Sequence, residues 1–282
     1  MKKLVAIAIL FGALTVKAQE SKDEPKEGWK RGGNITFLFN QSAFNNWLAG
    51  GTNNISGTLG LNYDINYAKG DWNWDNKIIA SYGLTKLRGQ DTKKTDDRFE
   101  LNSLLGKKAS GYWYYSAFFN FKTQMSSTDV GGVQQSHFFS PAYFQFGPGM
   151  LWKKSDNLKV NIAPATSKLV VVHDHFTANL PAGGSYFGVA PGKTIRYELG
   201  AAVNGYYKFD LMENVSVENI LNLYSNYLEE AQNVDIDYTV NVVMKINKYL
   251  SANLALQAIY DDNAFEGFQT REVFGLGVNY NF

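Results

Sequence analysis

The sequence predicts an all-β chain: a transmembrane antiparallel up-and-down β-barrel of about twelve strands, with both termini in the periplasm. Three observations lead there. The stretch 270–282 alternates to its last residue, with Phe274, Leu276, Val278, Tyr280 and Phe282 on one face and Gly275, Gly277, Asn279 and Asn281 on the other. A strand sends alternate side chains to opposite faces, so this one has a lipid-compatible face and a wet face. Most candidate strands reach about nine to eleven residues, the length a tilted strand needs to cross a bilayer, whereas sandwich strands run nearer five or six. The connections alternate long and short, as outer loops and periplasmic turns do.

The whole-chain numbers agree. Met1, Lys2 and Lys3 precede an apolar run over 4–14 and a Val16-Lys17-Ala18 end, the layout of a secretory signal peptide cleaved after Ala18. Residues 19–32 read as a periplasmic lead-in and 33–282 as the barrel. The signal holds three lysines and no acid, so its removal turns a formal charge of +1 into about −2, which argues against nucleic acid as a partner. There is no cysteine, hence no lipoprotein anchor, disulfide or thiol chemistry. Aromatics make up 15% of the chain and no helix-length apolar stretch follows the signal. An exported aromatic-rich chain of this kind is a secreted sandwich or an outer-membrane barrel, and strand length selects the barrel.

The first strand is expected over 33–40, with Ile35, Phe37 and Phe39 on one face. The connection 41–53 is rich in Asn and Gly; Phe44 and Trp47 sit in it, and Gly50 and Gly51 permit a tight turn. The second strand, 54–67, alternates strictly and a turn at 68–71 follows. The third sends Trp72, Trp74, Ile78, Tyr82 and Leu84 outward and Asp75, Lys77 and Ser81 inward, before a long charged loop over 86–97. The fourth is 98–108, the fifth 113–124, followed by a long loop over 125–140. The sixth is 142–152. The seventh, 158–172, contains Pro164, which cannot donate to a ladder and predicts a bulge. The longest loop spans 173–193. Strands at 194–209, 215–227, 234–246 and 250–260 precede the terminal one. Trp47, Trp72, Trp113 and Trp152 fall near strand ends, as in the aromatic girdles of membrane barrels.

Function would reside on the inward face. It carries Asp64, Asp75, Lys77, Glu100, Lys122, Arg196, Glu198, Lys208, Glu218, Asp235, Asp237 and Lys245, with both signs in similar number. Charges in a narrow interior must pair or meet water, so this set is either a self-neutralising network that stiffens the barrel or the lining of a water-filled lumen. Lys94, Asp96, Asp97 and Arg98 form an ionic cluster at the top of the fourth strand, suited to lipopolysaccharide phosphates or to solvating a loop. His173-Asp174-His175 places two imidazoles and a carboxylate at the start of the longest loop, a donor set for a transition metal. His137, Asp129 and Ser136 share another outer loop and would supply an acid-base set, without any nucleophile-elbow motif around the serine. Asp261, Asp262, Asn263 and Glu266 offer oxygen ligands but lack the spacing of a calcium loop. No phosphate-binding or dinucleotide fingerprint is present, and no cofactor is expected.

Several stretches carry a resemblance: 43–51 (AFNNWLAGG), 76–85 (NKIIASYGLT), 94–98 (KTDDR), 113–116 (WYYS), 121–124 (FKTQ), 140–143 (SPAY), 222–227 (NLYSNY) and 260–262 (YDD). With these the chain resembles an uncharacterised family, a domain of unknown function of Bacteroidota. The resemblance implies an outer-membrane barrel in a Gram-negative cell, in contact with outer-membrane lipid and lipopolysaccharide, and implies no enzymatic activity. The expected role is structural or accessory to envelope assembly or secretion, with another envelope protein as a candidate partner. The alternatives are a passive channel for small polar solutes and a lipid-modifying enzyme.

Overall fold

A computed structural model describes residues 27–43, 52–263 and 265–282. The expected signal peptide, the start of the lead-in, and Phe44, Trp47, Gly50 and Gly51 lie outside the described residues, as does the side chain of Glu266. The strands are β1 (Gly28–Ser42), β2 (Asn54–Lys69), β3 (Trp72–Leu87), β4 (Lys93–Ser110), β5 (Trp113–Thr123), β6 (Thr128–Val130), β7 (Val133–Ser136), β8 (Ala142–Ser155), β9 (Leu158–Val171), β10 (Ile195–Met212), β11 (Val215–Asn226), β12 (Asp235–Lys245), β13 (Leu250–Asp261) and β14 (Phe265–Asn281).

Twelve of them close into an antiparallel barrel, each beside its neighbour in the chain, and β6–β7 form a separate hairpin in the β5–β8 loop. Closure joins β1 to β14, from Asn34 opposite Asn281 to Phe39 opposite Leu276. No described helix is long and apolar enough to cross a membrane; the crossing is done by strands. In this closed cylinder every wall strand has a hydrogen-bonded neighbour on both sides, which is what a hydrocarbon environment demands of a backbone.

Alternation sorts the side chains. Phe37, Leu59, Phe274 and Leu276 point outward and are 45%, 54%, 58% and 61% exposed. So many large apolar groups on a continuous outer surface fit lipid and not water. Trp29, Tyr67 and Trp74 stack at the periplasmic end of β1–β3, with ring centroids 5.1 and 5.8 Å apart. Trp72, Trp113 and Trp152 lie at the same end of their strands, and the Lys107 ammonium sits 5.5 Å over the Trp72 ring. This is an aromatic belt at headgroup depth. The barrel is an outer-membrane cylinder, greasy outside and polar within.

The strands extend further than the sequence pattern indicates. β1 starts at Gly28 and β4 at Lys93, so the expected loop over 86–97 shrinks to residues 88–92. Its charged residues read as a loop, but a polar run is acceptable in a strand whose inner face is wet. The bulge expected at Pro164 is present. β9 carries an extra residue against both neighbours: the register slips between Phe146 and Met150 on β8 and between Gly200 and Ala202 on β10. Thr166 Oγ1 closes the bulge by donating to the Ala163 carbonyl at 2.9 Å.

Candidate functional site

The lumen is barred by ion pairs that run across it. Lys77 on β3 meets Glu218 on β11 at 3.3 Å, although these strands are six places apart in the ring of twelve, the widest separation the ring allows. Tyr206 Oη and Asn241 Nδ2 donate to the same carboxylate at 3.0 and 2.9 Å. Asp75 on β3 accepts from Lys153 on β8 at 3.1 Å and Lys159 on β9 at 2.7 Å. Nearer the outer end, Arg98 grips Glu100 with two 2.7 Å bonds, and Lys122 reaches Asp237 across the lumen at 3.3 Å. Lys168 joins Asp235 at 2.9 Å and the buried Glu198 at 3.4 Å. Arg196 holds Glu198 and Glu229, and Arg271 on β14 meets Asp96 on β4 at 2.7 Å.

Most of the expected inward charges are therefore brought together. Asp64 lies inward opposite Lys77 in the β2–β3 ladder. Lys208 and Lys245 keep the inward register but sit exposed towards the periplasmic ends of β10 and β12, outside the ion pairs. Sequence reasoning missed Lys153, Lys159, Lys168, Tyr206 and Arg271. Lys153 read as a turn residue, and the Pro164 bulge hid the phase of Lys159 and Lys168. A signal was available: Leu169 and Val171 continue the apolar face, which leaves Lys168 on the other side.

Apolar groups fill part of the same interior. Phe118, Ala163, Ala202 and Tyr224 form a buried cluster with Leu104 packed against it. The wall of β13, β14, β1 and β2 differs. Its inner face carries short neutral groups: Thr36 Oγ1 donates to Asn279 Oδ1 at 2.7 Å, and Asn279 and Asn253 each donate to Ser251 Oγ. A pocket of about 220 Å³ lies at its outer end beside Leu38, Ser56, Thr58 and Gly275.

The outer mouth is acidic. A cavity of about 200 Å³ is lined by Glu198, Glu229, Glu230, Asp235 and Asp262 together with Asn226, Asn233 and Asn263. Asp261 and Asp262 approach Asp235, but Lys168 already neutralises Asp235 and Asn233 donates to Asp262 at 2.6 Å. The loop after β9 bends inward at this level. Val189 is fully buried against Val170 and Val172, with Tyr143, Tyr186 and Phe187 around them. Gly188 has φ +76°, and a Cβ there would collide with the Arg196 guanidinium, so only glycine lets the loop lie this close to the wall. Tyr186 donates to the Gln135 carbonyl of the neighbouring loop, and burial pushes its hydroxyl pKa up.

The expected cluster on β4 is split. Lys94 and Asp97 pair at 2.6 Å and clasp Ser126, Asp96 turns to Arg271, and Arg98 turns to Glu100. Lys94 also donates to the Ser126 and Ser127 carbonyls, so its ammonium is used in the protein. Asp129, Ser136 and His137 share no hydrogen bond among the described residues, so the acid-base set is not assembled. His137 instead stacks on His175, with ring centroids 5.6 Å apart, and lies 5.5 Å from His173.

A family model described as "Protein of unknown function (DUF3078)" matches residues 39–128, which takes in the stretches 76–85, 94–98 and 113–116. No curated protein matches the chain. Among solved structures it is similar to an outer membrane channel from Pseudomonas putida F1, at 10% identity, covering 94% of this chain and 99% of that one with a TM-score of 0.41. It is also similar to the translocator domain of the autotransporter NalP from Neisseria meningitidis, at 8% identity, 100% and 94% coverage and a TM-score of 0.36. The outer membrane channel DcaP of Acinetobacter baumannii follows at 10% identity, 94% and 100% coverage and a TM-score of 0.35.

Proposed function

We propose that the protein is an outer-membrane conduit for small polar solutes that is shut at rest, with a preference for cations. The observation that carries this is the Lys77–Glu218 pair, which bridges the widest separation of the ring through a charge-lined interior. Charges placed across a polar interior make a barrier that opens when the pairs are exchanged for water, unlike a packed apolar core. The acidic mouth concentrates cations at the entrance. Its partners on this reading are the membrane lipids and the passing solute.

A second reading, a structural barrel that supports another envelope protein, is favoured by how completely the interior charges are paired. Planar-bilayer recording separates the two. Wild-type protein is expected to be silent, and Lys77→Ala/Glu218→Ala to give ion-sized conductance steps whose reversal potential in a salt gradient favours the cation. Silence of the double variant would favour the structural role. Steady large steps from wild type would show that the lumen is not shut.

A further inference from the structure

The chain contains three histidines, and all three meet at the outer mouth. His137 comes from the β5–β8 loop; His173 caps the turn Asp174–Phe176 that follows β9, and His175 lies within it. One ligand atom from each lies within 4.8 Å of the others. The two loops meet here through the His173 backbone N–H, which donates to Ser140 Oγ, and within the β5–β8 loop His137 and Ser140 exchange backbone hydrogen bonds of 3.0 and 2.9 Å. The backbones that carry the three rings are thus tied together.

His173 Nδ1 accepts the His175 backbone N–H at 3.3 Å, so it presents a lone pair. Yet His175 Nδ1 stands 2.9 Å from it and Asp174 Oδ1 2.7 Å. His175 Nδ1 and Asp174 Oδ1 thus both gather at His173 Nδ1, donor atoms that a divalent cation can also engage. His137 Nδ1 lies 2.7 Å from the Phe138 carbonyl, and donating there leaves Nε2 free. That is the outer hydrogen bond that orients a metal-bound histidine. Tetrahedral binding at about 2.0–2.1 Å places ligand atoms roughly 3.4 Å apart, a small side-chain rotation from the spacing seen. Nitrogen donors select a borderline divalent ion of the zinc or copper kind over magnesium or calcium.

The geometry points to an outer-facing site for a divalent transition metal formed by His137, His173 and His175. The ion would strap the inward-bent β9–β10 loop to the β5–β8 loop across the mouth. This stands apart from the conduit reading, because it concerns only the loops.

The test is calorimetric titration of the full barrel in detergent, with any affinity tag removed, using ZnCl2 and, as the hard-cation control, MgCl2. One zinc per barrel is expected, no magnesium binding, and affinity weakened at least about tenfold in each of His137→Gln, His173→Gln and His175→Gln. Asp262→Asn, in the acidic trio, is expected to leave the titration unchanged. Zinc affinity retained in His137→Gln would overturn the three-histidine site, and transfer of the loss to Asp262→Asn would place the metal elsewhere. Wild-type protein gives a second readout that needs no variant: zinc should protect all three rings from diethyl pyrocarbonate, and their undiminished modification would overturn the site.

Discussion

Two walls of one cylinder solve the same problem in opposite ways. On the side of β8–β12 the inner face is long, charged and tightly filled: Lys168, Glu198 and Asp235 interlock, and Lys159 lies over Tyr206 at 5.4 Å. On the side of β13, β14, β1 and β2 the inner face is mostly short and neutral, tied by amide and hydroxyl groups, with Asp64 and Arg271 as charged exceptions. The first wall reaches across to its opposite; the second, Arg271 apart, is tied within itself. Loss of one group should therefore be costly on the charged wall and mild on the neutral one.

The largest effect is expected from Lys168→Met. It leaves Glu198, 2% exposed, with Arg196 alone and strips Asp235 of its partner. Breaking such a buried pair costs about 3 kcal/mol, readable as a lowered denaturant midpoint in detergent. Gly200→Ala comes next. A Cβ there would run into the Ser225 carbonyl, so backbone must shift, at about 1–3 kcal/mol. On the neutral wall Thr36→Val removes two hydrogen bonds, one to Asn279 and one from Asn34, and should cost about 1–2 kcal/mol. Gly60→Ala is the smallest: its Cβ would meet only the Thr36 carbonyl at 3.8 Å, and a change below about 0.5 kcal/mol is expected. If Gly60→Ala cost as much as Gly200→Ala, the contrast between the walls would disappear.

The walls also differ in how far they could be read from the chain. Strict alternation made β2, β10 and β14 legible, because each residue's neighbours two away report its face. The same rule failed at β9, where the extra residue beside Pro164 changes the phase midway and conceals Lys159 and Lys168. The 93–97 run looked like a loop because charge is a marker of solvent, and a wet lumen removes that meaning. Pairings such as Lys77 with Glu218 depend on which strands face each other across a closed ring, and nothing within either strand encodes it. The meeting of His137 with His173 and His175 is of the same kind: it requires two loops to lean together, held by Ser140 and Tyr186.

The seam between β1 and β14 has a kinetic consequence. Thr36 and Asn279 are 243 residues apart in the chain, and their bond closes the ring. The entropy of closing so large a loop grows only logarithmically, but contacts this remote slow folding. The pairing of these two strands is therefore expected to be among the slowest contacts of assembly to form. A half-built sheet, still carrying two raw edges, is the species that chaperones and insertion machinery must guard.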